Sequence, residues 1–234
     1  MNQTGAGGHL QPSQASRSLA ASGRDRLAFF SFRSPSEYFY IFYSKSLELP
    51  YELLSKDALK ECVVGEIQTG KKQKYAEIQF DGKQKIFQLS ASPLVSPFQA
   101  GVFQDDGTAT RLNLELNIDE NTQQVLEAFD TFFSEQIKKL APGKSYHPLI
   151  QKHGDYPARI RCKVNTQGPN AARFWAADQT PLGSVRSVDT ASKPVTACIV
   201  LSKFWIMGVT AGVTCELRAA VLHDNNIPLD VFPL

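Results

Sequence analysis

Leu112, Leu114, Leu116 and Ile118 alternate with Arg111, Asn113, Glu115 and Asn117. Side chains alternate across an extended chain, so this stretch is predicted as a strand buried on one face. A second alternation is Arg159-Ile160-Arg161-Cys162-Lys163-Val164, which sets three cations on one face and three core side chains on the other. Other strand-like runs fall at residues 62–68, 74–80, 83–89, 172–177, 194–201, 204–207 and 213–222. Asp81-Gly82 supplies the two positive-φ residues of a type I′ hairpin, and Gly208 and Gly212 are expected to bracket the last turn.

A single helix interrupts the strands. Leu126, Phe129, Phe133, Ile137 and Leu140 recur at helical spacing, Asn121 with Gln124 makes a capping pair, and Pro142-Gly143 stops the run. The apolar stripe is expected to lie on a sheet. Many short strands with one long helix predict a mostly β fold, an OB-like β-barrel, with a two-sheet β-sandwich as the alternative.

At 234 residues and 42% hydrophobic content, the chain is long enough for one well-buried domain. That domain is placed at residues 57–223, after a disordered tail at 1–26 and an aromatic-rich extension at 27–56, and before a tail at 224–234. Residues 27–43 are broken by Arg33, Pro35 and Glu37, so they predict neither a membrane span nor a signal sequence. The Ser- and Arg-rich residues 1–26 are poor in apolar side chains, with an organelle transit peptide as the alternative. Cys62, Cys162, Cys198 and Cys215 form no CxxC pair, which predicts buried free thiols and an intracellular, reducing compartment.

Charge changes the picture locally. Between residues 138 and 173 eight cations face Asp155 alone, a balance of +7, so a chain of net +2 carries −5 elsewhere. Fields act within a Debye length of about 8–10 Å, which makes a polyanion the leading partner. Arg159, Arg161 and Lys163 are the candidate phosphate contacts, widened by Lys144, Lys152 and Arg173, with Lys71 and Lys72 at a basic hairpin tip. Flat rings under unpaired bases complete such a surface. Trp175 would share a face with Arg173, Tyr156 precedes the basic strand, and one of Phe204 and Trp205 must pack inside. The competing reading of the basic strand is a soluble edge.

Catalytic motifs are missing. Gly65 to Lys71 fits GxxxxGK, but Lys72 replaces the magnesium-holding hydroxyl and a strand follows in place of a helix. His9, His147, His153 and His223 are scattered, and Asp105-Asp106-Gly107 reads as a turn rather than a metal-binding pair. No enzyme activity and no cofactor are expected.

Several segments together resemble a known family: Phe87-Gln88-Leu89, Val95-Ser96-Pro97-Phe98, Leu112-Asn113-Leu114-Glu115-Leu116, Tyr156 to Val164, Ala197-Cys198-Ile199-Val200-Leu201, Trp205-Ile206 and Gly212-Val213-Thr214. The family consists of single-stranded DNA-binding proteins with an OB-like barrel, from large DNA viruses of eukaryotes and their algal hosts. The chain departs from it at Ala211 and Cys215, where the family carries bulky aromatics. The resemblance implies non-sequence-specific binding of single-stranded DNA, with RNA as an alternative ligand, in replication, recombination or repair, at the nucleus or a viral replication site. Residues 227–234 would either tuck onto the barrel or recruit replication proteins. The rival is a structural or scaffold protein, a virion or replication-complex component that uses the aromatic residues 29–43 as its interface.

Overall fold

The computed structural model describes residues 51–71, 73–102 and 104–224. The expected tail at 1–26, the aromatic run 29–43, Lys72 and the tail beyond residue 224 lie outside the described residues. The first strands are β1 (Glu52–Leu53), β2 (Cys62–Val64), β3 (Gln68–Thr69), β4 (Lys74–Phe80), β5 (Phe87–Gln88), β6 (Leu94–Val95) and β7 (Arg111–Asn117). After helix α1 (Glu120–Leu140) come β8 (Ser145–His147), β9 (Ile150–Gln151), β10 (Arg159–Asn165), β11 (Arg173–Ala176), β12 (Pro194–Met207) and β13 (Thr210–Leu222).

The class is as expected: mostly β with one long helix. Hydrogen bonding runs in the order β1-β5-β12-β13-β10-β7 and does not return to its start, so the barrel-like sheet stays open. The strands are linked through β12 and β13, with β4 and β6 on β12, and β8 and β11 on β13. This linkage replaces the two separate sheets of the sandwich alternative.

The expected break after residue 201 is a bulge, not a loop. β12 runs unbroken, and the register against β13 shifts between Leu201 and Lys203 and again between Cys198 and Ile199. Each shift inserts an extra residue, Ser202 on one strand and Arg218 on the other, which bends the hairpin. The turn needs only Gly208, at φ 57°; Gly212 lies within β13 instead of bracketing the turn. The predicted strand at 62–68 divides into β2 and β3, and the one at 83–89 shrinks to Phe87–Gln88. Asp81 and Gly82, at φ 52° and 73°, form the expected tight turn.

α1 starts earlier than the capping pair predicts. Asp119 is the N-cap: its carboxylate accepts from the Thr122 N–H at 2.7 Å and from the Ser90 hydroxyl at 2.9 Å. Leu126, Phe129, Phe133 and Ile137 are buried, and Leu140 is half-buried. The stripe meets the sheet where the Phe129 and Phe80 rings stand 6.4 Å apart, with Phe87 edge-on to Phe80 at 4.9 Å. Each fully buried ring contributes about 1.5–3 kcal/mol. Asp130 fixes the following segment, accepting from the Tyr146 hydroxyl at 2.6 Å and from the Leu149 and Ile150 N–H groups. Tyr146 is therefore part of the packing between α1 and β8, and burial with the Asp130 charge pushes its pKa up. The helix thus occupies one face of the sheet, leaving the other for polar and aromatic side chains.

Candidate nucleic-acid interface

Residues opposite one another in register share a face, and so do alternate residues along a strand. On β13, Gly212, Thr214 and Glu216 therefore point one way, while Val213, Cys215 and Leu217 point to the core. Gly212 pairs with Trp205 of β12 and His147 of β8, Thr214 pairs with Lys203, and Glu216 pairs with Lys163 of β10. From Lys163 the same face continues through Arg161 and Arg159, opposite Asn113, Glu115 and Asn117 of β7, and ends at Asn165 opposite Arg111. On the other flank Tyr75 and Glu77 of β4 stand opposite Trp205 and Lys203. One polar face thus crosses β4, β12, β13, β10 and β7.

Glu115 sits at its centre. Arg161 donates to one oxygen through Nε at 3.0 Å and Nη2 at 2.7 Å, and Arg159 reaches the other at 3.3 Å. One carboxylate therefore serves two guanidinium groups. Lys163 donates to Asn113 at 2.7 Å, a neutral partner; its pKa is lowered by burial and by the neighbouring charges of Arg161 and Arg111. Arg111 donates to Asn165 at 3.0 Å and lies 3.6 Å from Glu216. Glu216 is 5% exposed, accepts from Ser202 at 2.9 Å and pairs with Arg218 at 3.2 Å. The exposed cations of this patch are Arg161, with 40% of its side chain accessible, and Arg111, with 57%.

Arg173 and Trp175 share a face, as predicted. Arg173 is opposite Ala219 and exposed, Trp175 is half-buried opposite Val221, and Phe174 between them is buried at 2%. Arg173 also bears on Tyr51, whose pKa is raised by burial and by Cys198 but drawn down by this cation.

The aromatic end of the face belongs to Trp205. Phe204 is fully buried while Trp205 is on the polar phase, which resolves the choice between them. The indole lies against Gly212: a Cβ there would stand 2.7 Å from Trp205 Cζ2 and 3.1 Å from Cε2. Only a residue without a side chain leaves room for the ring this close to the strand. The His147 ring is 6.2 Å from the indole, and the Lys203 ammonium sits 4.6 Å over the Tyr75 ring, within cation–π range. A planar ring backed by glycine, with Lys203 two residues along the same strand, can hold a planar group against a charged backbone.

The remaining described lysines of the predicted set sit apart from this cluster. Lys144 donates to the Gly208 carbonyl at 2.7 Å, fastening the hairpin tip, and Lys152 lies 3.4 Å from Glu127 of α1. Lys71 is exposed between β3 and β4, and Lys72 lies outside the described residues. Tyr156, 70% exposed, precedes β10. Among the described residues no three His, Cys, Asp or Glu side chains gather as metal ligands. Asp105 accepts from the Gly107 N–H at 2.9 Å and pairs with Arg186 at 2.7 Å, as a turn residue does.

Sequence reasoning passed over Arg111, Tyr75, Lys203, His147 and Gly212. Tyr75 carried a usable signal, since it falls on the polar phase of a strand whose Ala76, Ile78 and Phe80 are buried. Gly212 carried none, because its role depends on a ring from another strand.

No family model matches the chain, and no curated protein matches its sequence. Among solved structures, gp2.5, a single-stranded DNA-binding protein encoded by bacteriophage T7, is 16% identical, with a TM-score of 0.39 over 60% of this chain and 87% of that one. The single-stranded DNA-binding protein from bacteriophage Enc34 is 9% identical, with a TM-score of 0.41 over 74% and 96%. Its complex with single-stranded DNA gives 0.38 over 71% and 98%, also at 9% identity. Superpositions this loose carry no inference about what the chain binds.

Proposed function

We propose that the chain binds single-stranded DNA without base specificity, in support of replication, recombination or repair, and that its polar sheet face is the binding surface. One observation carries the reading: the register joins a flat indole, a ring-bound lysine and a cluster of under-compensated cations on a single face. Duplex DNA hides its bases, so a half-buried ring on the polar face of a sheet suits unpaired bases, and the cations suit the phosphates between them.

Arg161, Lys163, Arg111, Arg173 and Lys203 would contact phosphates, and Trp205 with Tyr75 would stack a base. Trp175 is held as a further stacking ring beside Arg173. Lys144, at the hairpin tip, and Lys152, beside α1, contribute to the surrounding field. RNA presents the same rings and phosphates and is the competing ligand; matched oligo(dT) and oligo(rU) titrations separate the two.

The test is charge reversal in the triple variant R111E/R161E/K163E, whose side chains lie on the polar phase while Leu112, Ile160, Cys162 and Val164 keep the core. A folded variant is expected to lose binding to dye-labelled oligo(dT). A folded variant that binds like the parent removes this face from the function.

A further inference from the structure

Arg159 differs from the other cations of its strand. Only 12% of its side chain is exposed, and its Nε is buried without a hydrogen-bond partner. Its guanidinium carbon is 5.2 Å from the centroid of the Phe98 ring and 5.7 Å from that of Tyr156. Those two rings are 52% and 70% exposed. The charge is turned toward the rings, and the rings are turned toward solvent.

The backbone beneath Phe98 is firmly held. Its carbonyl accepts from the Ser96 hydroxyl at 2.8 Å, the adjacent Gln99 side chain donates to the Val188 carbonyl at 2.7 Å, and the Ala100 N–H donates to Thr190 at 2.7 Å. A large apolar ring fixed in an exposed position is poorly explained by packing. Tyr156 is separated from the start of β10 by Pro157 and Ala158, with its N–H bonded to the His153 carbonyl at 3.2 Å.

We propose that Phe98 and Tyr156 form a second stacking site for unpaired nucleobases, and that Arg159 is a positioning residue that orients both rings instead of a phosphate contact. The proposal rests on the reading of the polar face as a single-stranded DNA surface. β10 lies two strands from β12, about 10 Å at ordinary strand spacing, so this site is separate from the one at Trp205. Arg161, the next outward residue on β10, continues the cationic surface directly from it. That continuity favours a nucleic-acid base over an apolar protein segment as the occupant.

The experiment compares dye-labelled oligo(dT) with an abasic strand of equal length, titrated across a range of salt concentrations. F98A/Y156A is expected to weaken oligo(dT) binding roughly ten- to hundred-fold, leaving abasic binding and the salt slope unchanged. F98L/Y156L keeps apolar bulk without a ring face and should give the same loss. Arg159→Lys keeps the charge but lacks the guanidinium plane, so it should weaken oligo(dT) binding at an unchanged slope.

Wild-type affinity in both double variants overturns the stacking site, including the case in which the rings serve a protein partner. Wild-type affinity in Arg159→Lys overturns its positioning role. Failure of the wild-type chain to bind oligo(dT) at all overturns the underlying reading of the face, a result distinct from either.

Discussion

Replacing Gly212 with alanine tests the indole platform with the smallest available change. Glycine inside a strand ordinarily disfavours folding, so alanine should be better by about 0.5–1 kcal/mol. Here the geometry reverses the sign. The new Cβ would stand 2.7 Å from Trp205 Cζ2 and 3.0 Å from the His147 carbonyl oxygen, so a rigid ring on one side and backbone on the other must give way. Overpacking of this kind costs about 1–3 kcal/mol, which exceeds the entropic gain at most of that range. The ring is the easier of the two to move, and moving it forfeits a stacked base worth about 1–3 kcal/mol. The expected outcome is an oligo(dT) Kd raised roughly 5- to 150-fold at a modestly lowered Tm. The chain has two tryptophans, so a Trp175→Phe background makes fluorescence report Trp205 alone. In that background oligo(dT) should quench the emission, and Gly212→Ala should abolish most of the quenching. A folded Gly212→Ala protein with parental quenching and Kd would refute the stacking argument.

Three further outcomes follow from the same geometry. Glu115→Gln removes the carboxylate shared by Arg159 and Arg161, leaving a mostly buried guanidinium without a counter-charge. It should cost about 3 kcal/mol and lower the Tm by roughly 6–12 °C, yet tighten low-salt DNA binding by releasing Arg161; an unchanged melting curve would contradict the pairing. Asp119→Ala should cost about 1 kcal/mol as a lost N-cap. The Asp119 carboxyl is held below its ordinary pKa: burial pushes it up, but hydrogen bonds from Thr122 and Ser90 outweigh that push. Its contribution is therefore present above the unfolded value of about 3.9 and is lost as pH falls through the folded one, so the Tm difference between parent and variant should vanish in acid. Lys163 titrates below the usual lysine range because of burial, Arg161 and Arg111. Its folded form binds fewer protons than the unfolded chain in that window, so this group favours folding increasingly as pH rises through the folded pKa. Phosphate beside it should move the pKa upward, which an NMR titration of the Lys163 side chain with and without oligo(dT) would detect; no movement would remove Lys163 from the contacts.

Local periodicity exposed much of the fold, because alternation reports burial directly. β7 and β10 lie within a residue of where alternation places them, and Phe174 and Phe204 face the core as their phases require. Features set between distant segments were hidden. Asp119 and Asn121 are both competent caps by residue type, and Ser90, 29 residues away, joins Asp119. The bulge at Ser202 made one long strand read as two short ones, while the bulge at Arg218 left no mark on the alternation of residues 213–222. The basic strand was legible as charge but not as partnership: nothing in its own sequence says that Glu115 of β7 lies opposite Arg161. The same pairing distinguishes the strand's three cations, since Arg161 is open, Lys163 is crowded, and Arg159 is turned into a pair of rings. Phe98 lies in Val95-Ser96-Pro97-Phe98, one of the segments that carry the family resemblance, yet its exposure is visible only in the folded chain.

The dependence of binding on salt tests the central claim most directly. Oligo(dT) titrated against the wild-type chain should bind saturably at low salt, with log K falling against log salt at a slope near −3.5 for five phosphate contacts at about −0.7 each. Absence of saturable binding, or binding indifferent to salt, would contradict the assignment of the polar face to single-stranded DNA.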